Sequence, residues 1–201
     1  MRAEIDEILF YWFGELEEGF PATPKEGLWW QGSEAQDRDI ERLFGAQVRS
    51  ALRGELMDWK ETPRGRLALV LLLDQFTRNI YRGTAEAFSG DGLALKLVKE
   101  SLPLQHDCAL EASERCFFYM PLEHSESLVD QNTCISCLEG LLAEVPKEHR
   151  HRIDNALDFA VQHRDIIQAF GRFPHRNDVL GRESTEEELA YLNQSHARWG
   201  Q

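Results

Sequence analysis

Apolar residues along this chain recur at helical spacing, and nowhere do they alternate in twos over a useful length. Ile5, Ile8, Leu9 and Trp12 make an i, i+3, i+4, i+7 stripe, which Gly14 can stop. Residues 14–32 read as a long loop, but Phe20, Trp29 and Trp30 within it predict that it folds over something. Ser33 and Gln36 form a capping box for a helix running through Ile40, Leu43, Phe44, Val48 and Leu52 to Gly54. Thr62-Pro63 is a cap followed by proline at the first helical position. Leu67 to Leu73 is then apolar nearly all round, so this helix is predicted to be central and buried. Further helices are predicted at about 91–100, at about 110–120, onward to about Ala143 with Pro121 either starting a new helix or kinking the one before, from Pro146 to Gly171, and after a Ser184/Glu187 capping box. The class is all-α, with about seven to nine helices, in a single domain over 1–201.

At about 100° per residue, Gln75, Arg78, Asn79 and Arg82 share a wedge at the end of the central helix, with Leu69, Leu73, Phe76 and Ile80 opposite. Asp74 adjoins the wedge. Arginine forks and amide donors are the groups that recognise a carboxylate or phosphate, although arginine also suits a helix C-terminus. Helical spacing after Pro121 puts Glu123, Glu126 and Asp130 on one face, at i, i+3 and i+7. Such carboxylates could hold a hard metal ion or pair with arginines; pairing is preferred, and no metal is assigned. His163 sits inside an apolar stripe between Ala160 and Ile167, where a histidine is usually a hydrogen-bonded core residue. Asp165, Arg172 and His175 come soon after it, which gives it a functional reading as well. After Gly171 comes the densest cationic loop, with Arg172, His175, Arg176, Asn177 and Arg182. His124, His163 and Glu126 are the candidate acid–base groups, with no nucleophile convincingly beside one. Cys134-Ile135-Ser136-Cys137 falls inside a predicted helix, where neither a redox nor a zinc role fits.

Charge narrows the partners. The net charge of −13 argues against non-specific nucleic-acid binding and against an anionic membrane surface. It leaves room for a small basic site inside an acidic shell. No apolar run reaches membrane-spanning length, the N-terminus lacks a signal-peptide pattern, and four cysteines without one predict a cytoplasmic protein with reduced thiols.

Three stretches resemble a known family. They are Leu71 through Gly83 (LLLDQFTRNIYRG), Tyr119 through Glu126 (YMPLEHSE), and His163-Arg164-Asp165-Ile166-Ile167 with Phe170 through Asn177 and Leu180 through Ser184. The chain is similar to the bacterial domain-of-unknown-function 924 family from about residue 5 to 192, leaving a short tail at 193–201. It departs from the family pattern at Thr77 and Gly92, where proline is usual. The resemblance implies stacked antiparallel helix pairs in a right-handed, tetratricopeptide-repeat-like array. It implies no reaction and no cofactor.

The sequence supports three functional readings. In the first, a small ligand bearing a carboxylate or phosphate is held by Arg78, Asn79, Arg82, Arg172, Arg176 and Arg182. His124 and His163 then work as acid–base or hydrogen-bonding groups, Glu123 and Glu126 lie close by, and Trp30 with Phe20 forms a lid. In the second, a groove binds an acidic peptide or a protein C-terminus. In the third, the polar residues are a buried ion-pair network. A closed cavity would favour the first reading, an open groove the second, and complete arginine–carboxylate pairing the third. The first also expects an excess of inward positive charge.

Overall fold

The computed structural model describes residues 2–194. Met1 and residues 195–201, most of the expected tail, lie outside the described residues.

Among the described residues the protein is all-α apart from one small hairpin. Helix α1 (Arg2–Phe13) buries the expected stripe of Ile5, Ile8, Leu9 and Trp12. The stretch read as a loop holds more structure than predicted. Strands β1 (Leu16–Glu17) and β2 (Phe20–Pro21) pair antiparallel, and a short helix α2 (Glu26–Trp30) comes next. The Trp29 indole donates to the Trp12 carbonyl at 3.0 Å, which ties this segment to α1. Helix α3 (Glu34–Leu52) starts where expected, with the Ser33 hydroxyl accepting from the Gln36 amide.

Thr62 caps α4 (Pro63–Val70), with proline at the first position. Every residue from Leu67 to Leu73 is fully buried, as predicted for a central helix. The helix then changes gauge. Leu71–Phe76 is a π-helical segment, and only Thr77–Ile80 (α5) returns to α geometry. Wider turns are typical of local bulges, often near functional sites, and they break the 100° phase. Side chains serve two carbonyls here: Thr77 Oγ1 donates to Leu73 at 2.8 Å, and Arg78 Nη1 donates to Asp74 at 2.8 Å.

Helix α6 (Asp91–Ser101) begins beside the π segment because Gly90 lets it. A Cβ on Gly90 would stand 2.1 Å from the Leu73 carbonyl oxygen, so no other residue fits that approach. The result is that Asp91 arrives next to Arg78. Helix α7 (Ala112–Glu123) carries Pro121 inside it and stops at His124. Helix α8 (Leu128–Glu144) begins after a break, so the predicted single helix through Glu126 is two. Helix α9 (Arg150–Phe170) packs on α8 and ends at Gly171, whose φ of 70° is the left-handed conformation that favours glycine. Helix α10 (Glu186–Asn193) is capped one residue later than predicted, by Thr185 with Glu188 rather than Ser184 with Glu187. Glu188 is the better choice because its carboxylate also receives Arg172 and Asn177.

Candidate functional site

The π segment, the end of α7, the middle of α9 and the loop after Gly171 bring together Asp74, Gln75, Arg78, Glu123, His124, His163, His175 and Arg176. Asp74 is fully buried. It accepts from Gln75 Nε2 at 2.5 Å and faces Arg78 Nη1 at 3.2 Å. His124 Nδ1 lies 2.8 and 3.0 Å from its two oxygens. An ionised carboxylate only accepts, so Nδ1 carries the proton and Nε2 the lone pair. Burial opposes the charge on Asp74, but Arg78, His124 and Gln75 outweigh burial and hold its pKa well below the ordinary value. Burial, with Arg78 and Arg176 nearby, holds His124 below its usual pKa in spite of Asp74, so the imidazole is neutral.

His163 is buried on the apolar stripe, with Nδ1 donating to the Phe159 carbonyl at 2.9 Å and lying 3.1 Å from Glu123 Oε1. Burial and the neighbouring His124 lower its pKa to about 3. Burial raises Glu123 to about 8, with the Asp74 charge adding to the effect, so Glu123 is a protonated acid at neutral pH. Two carboxyl groups one helix apart are thus driven in opposite directions, one kept ionised and the other kept neutral. The His124 and His163 rings are 6.2 Å apart. His175 stands 5.5 Å from the Phe173 ring, and burial together with Arg176 lowers it to about 3.

The arginines do not all belong to this centre. Arg78 grips both oxygens of Asp91, at 2.8 and 3.0 Å. Arg82 grips Asp37 at 2.8 Å, and Asn79 donates to the same carboxylate at 2.9 Å. The wedge predicted for Gln75, Arg78, Asn79 and Arg82 is therefore divided: Gln75 lies in the π segment, and α5 ends at Ile80, so Arg82 stands in the turn beyond the helix. Arg172 is held by Glu188 at 2.6 Å, and Asn177 joins them, so both lock the last helix rather than line the centre. Arg182 grips Glu126 at 2.8 Å, and Glu126 also accepts from the Phe173 amide. Glu126 sits in the break between helices, Glu123 faces α9, and Asp130 takes Lys99 at 2.7 Å, so the three carboxylates share no face. Among the described residues no group of three or more histidine, cysteine, aspartate or glutamate side chains could hold a metal ion. Trp30 is 56% exposed and stacks on Phe117 at 5.7 Å, on the side of the molecule where Gly32 meets Arg82. The cysteines of the C-x-x-C lie in α8, and burial raises both thiols, Cys137 to about 11.

Asp37, Asp91 and Glu188 are the partners that sequence reasoning missed. Each is an acid in the first turn of a helix, which is a recognisable place for a carboxylate, but nothing in the sequence says which arginine it meets.

Arg176 differs from the others. Its guanidinium is packed over the Phe173 ring at 4.4 Å and the Phe88 ring at 4.8 Å. Nη1 donates to the His124 carbonyl at 3.1 Å and reaches Asp91, already gripped by Arg78, only at 3.5 Å. Its Nε–H is buried and makes no hydrogen bond. Contact with carboxylates raises the pKa of Arg78, Arg82 and Arg172, whereas burial and the Arg78 charge lower Arg176 to about 10.

Comparison with known proteins gives a match to the model for bacterial proteins of unknown function (DUF924) over residues 8–196. The chain belongs to the DUF924 family. A solved structure from Agrobacterium tumefaciens, described as a protein of unknown function, is 34% identical with a TM-score of 0.80. The match covers 96% of this chain and 99% of that one. No curated protein matches. No helix among the described residues of this DUF924 protein is long and apolar enough to cross a membrane. Two surface hollows, of about 380 and 450 Å³, lie on α6 around Leu95 and between α1, α2 and α3 around Tyr11, and neither is lined by His124, His163 or Arg176.

Proposed function

We propose that this protein binds a small anionic group, carboxylate or phosphate in type, at Arg176, with His124 beside it as the hydrogen-bonding or acid–base group. The observation that carries the reading is the buried Nε–H of Arg176, a charge-bearing donor with no acceptor. Leaving such a donor unmade costs about 1–3 kcal/mol, more for a charged group, and an incoming oxyanion removes that cost. Arg78, Arg82, Arg172 and Arg182 each have a carboxylate, at 2.8, 2.8, 2.6 and 2.8 Å, and need no further anion. That pairing favours a structural role for those four and narrows the ligand-binding part to one guanidinium. The burial of Arg176, 6% exposed, favours a group of a few atoms over an acidic peptide lying in a groove.

The test is thermal unfolding with sulfate, phosphate and small di- and tricarboxylates. Wild type is expected to be stabilised, by about 2.7 kcal/mol at a hundredfold excess over Kd. Arg176→Gln is expected to lose that stabilisation and Arg82→Ala to keep it. Stabilisation of Arg176→Gln equal to that of wild type overturns the reading.

A further inference from the structure

We infer that the centre takes a monocarboxylate edge-on at Arg176, and takes it with one proton, which His124 receives at Nε2. This rests on the anion reading above and names the class of its ligand.

The guanidinium of Arg176 has one open edge. Nη1 donates to the His124 carbonyl at 3.1 Å and is 3.5 Å from Asp91. The Phe173 and Phe88 rings pack against the guanidinium, 4.4 and 4.8 Å from its central carbon. What is left is the edge that Nε shares with Nη2, and its Nε–H is the donor without an acceptor. Two parallel N–H groups on one edge match the two oxygens of a carboxylate. A carboxylate lying in the guanidinium plane keeps clear of both rings. A tetrahedral oxyanion that meets the same fork must hold two oxygens out of that plane, toward the rings.

Charge then sets the valence of the ligand. Arg78 and Arg176 stand against Asp74 and Asp91, and Glu126 is closed by Arg182, so the centre is neutral before a ligand arrives. Glu123 is protonated, and His124, His163 and His175 are uncharged. One carboxylate brings one negative charge into a buried space, where an unbalanced charge is costly, and one proton restores the balance. A dianion needs two.

Of the three histidines, His124 is placed to take the proton. Its Nδ1–H already faces the Asp74 carboxylate at 2.8 Å, so protonation at Nε2 completes an ion pair without rearrangement. His163 has instead the neutral Glu123 and a backbone carbonyl for partners, and His175 lies against Phe173. The other charged and titratable groups come from every element around His124. Asp74 and Arg78 belong to the central helix, Glu123 to α7, Asp91 to α6, His163 to α9, and His175 and Arg176 to the last loop. Glu126 and Asp130 follow His124 in the chain, and Arg182 and Lys99 hold them. Asp74 favours the imidazolium, while burial, Arg78 and Arg176 oppose it. A carboxylate on Arg176 offsets part of that opposition, so the pKa of His124 rises on binding. Linkage then fixes the sign: the affinity for carboxylate is greatest at low pH and falls by up to about tenfold per pH unit between the free and the bound pKa of His124.

Sodium formate is the probe, because it is a bare carboxylate, stays ionised near neutral pH, and leaves any proton taken up to the protein. Calorimetric titration of the full chain at pH 6.5, in two buffers of different ionisation enthalpy, is expected to show uptake of about one proton per formate. Sodium sulfate at the same ionic strength is expected to bind at Arg176 about tenfold more weakly than formate. Arg176→Lys keeps the charge and loses the fork, and is expected to lose the preference for formate over sulfate. His124→Gln is expected to bind formate more weakly and without proton uptake. If the variants do not fold, NMR titration of the His124 ring in wild type serves instead, and its pKa is expected to rise when formate is present. Sulfate bound as tightly as formate, formate bound without proton uptake, or an unmoved His124 pKa overturns this inference and leaves the anion reading standing. Binding of neither anion overturns both.

Discussion

Arg82 and Arg176 carry the same guanidinium, and their surroundings differ in each respect that sets its behaviour. Arg82 is one-third exposed and holds Asp37 with two short bonds, from Nε and Nη2 at 2.8 and 3.0 Å. Arg176 is buried between two phenyl rings with a distant, shared carboxylate and an unmet Nε–H. The pKa of the first is raised by its partner, and that of the second is lowered by burial and by Arg78. The same division runs through the whole polar set. Around the rim, Arg82, Arg172 and Arg182 each close a local ion pair that fastens one segment to another. At the centre, Asp74 organises Gln75, Arg78 and His124, and His163 with the protonated Glu123 packs beside them. A count of arginines could not separate the two groups; the partners do.

The sharpest way to break this comparison is to remove a centre carboxylate and a rim arginine in turn. Asp74→Ala leaves the His124 Nδ1–H without its acceptor and Arg78 with one carboxylate fewer. Because Asp74 is fully buried, a loss of about 3–5 kcal/mol is expected in urea unfolding. Gly90→Ala tests the approach that sets Asp91 beside Arg78. With a Cβ 2.1 Å from a backbone oxygen the chain must shift, and a loss of about 2–4 kcal/mol is expected by the same method.

The pH dependence sharpens the comparison further. Glu123 has a folded pKa of about 8, above its unfolded value, so the stability it contributes is full below the unfolded pKa and is lost as pH rises toward 8. His163 has a folded pKa of about 3, below its unfolded value, so its contribution is present above the unfolded pKa and lost only as pH falls. From pH 6.5 to 8 the histidines with lowered pKa add a small opposite gain in wild type and variant alike, so wild type is expected to lose about 1–2 kcal/mol relative to Glu123→Gln. Glu123→Gln is expected to flatten that slope; a slope unchanged in the variant would mean that another group titrates. The smallest effect belongs to the rim. Arg82→Ala, which removes a partly solvated pair, is expected to cost about 0.5–1 kcal/mol.

Much of the fold was legible. Ser33, Thr62-Pro63 and Gly171 mark helix ends in the sequence because capping and left-handed geometry depend on local chemistry alone. The buried run Leu67 to Leu73 and the inward place of His163 could be read from helical period. The π segment at 71–76 could not, since period reasoning assumes one gauge throughout; the same reasoning carried the helix past its end at Ile80 and so joined Arg78 to Arg82, which the structure parts. The break after Glu123 scattered a carboxylate face for a similar reason. The pairing of Arg78 with Asp91 spans 13 residues, that of Arg82 with Asp37 spans 45, and that of Arg182 with Glu126 spans 56. Contacts of that range are decided by how helices stack, which no local signal carries.

The account turns on Arg176 being the arginine that receives an anion, and a crystal structure grown in sulfate tests this most directly. The expected result is tetrahedral density within hydrogen-bonding distance of Arg176 Nε, with the His124 ring beside it and the Arg82–Asp37 and Arg172–Glu188 pairs intact. Sulfate bound only at the rim arginines, with Arg176 Nε unoccupied at saturating concentration, would contradict it.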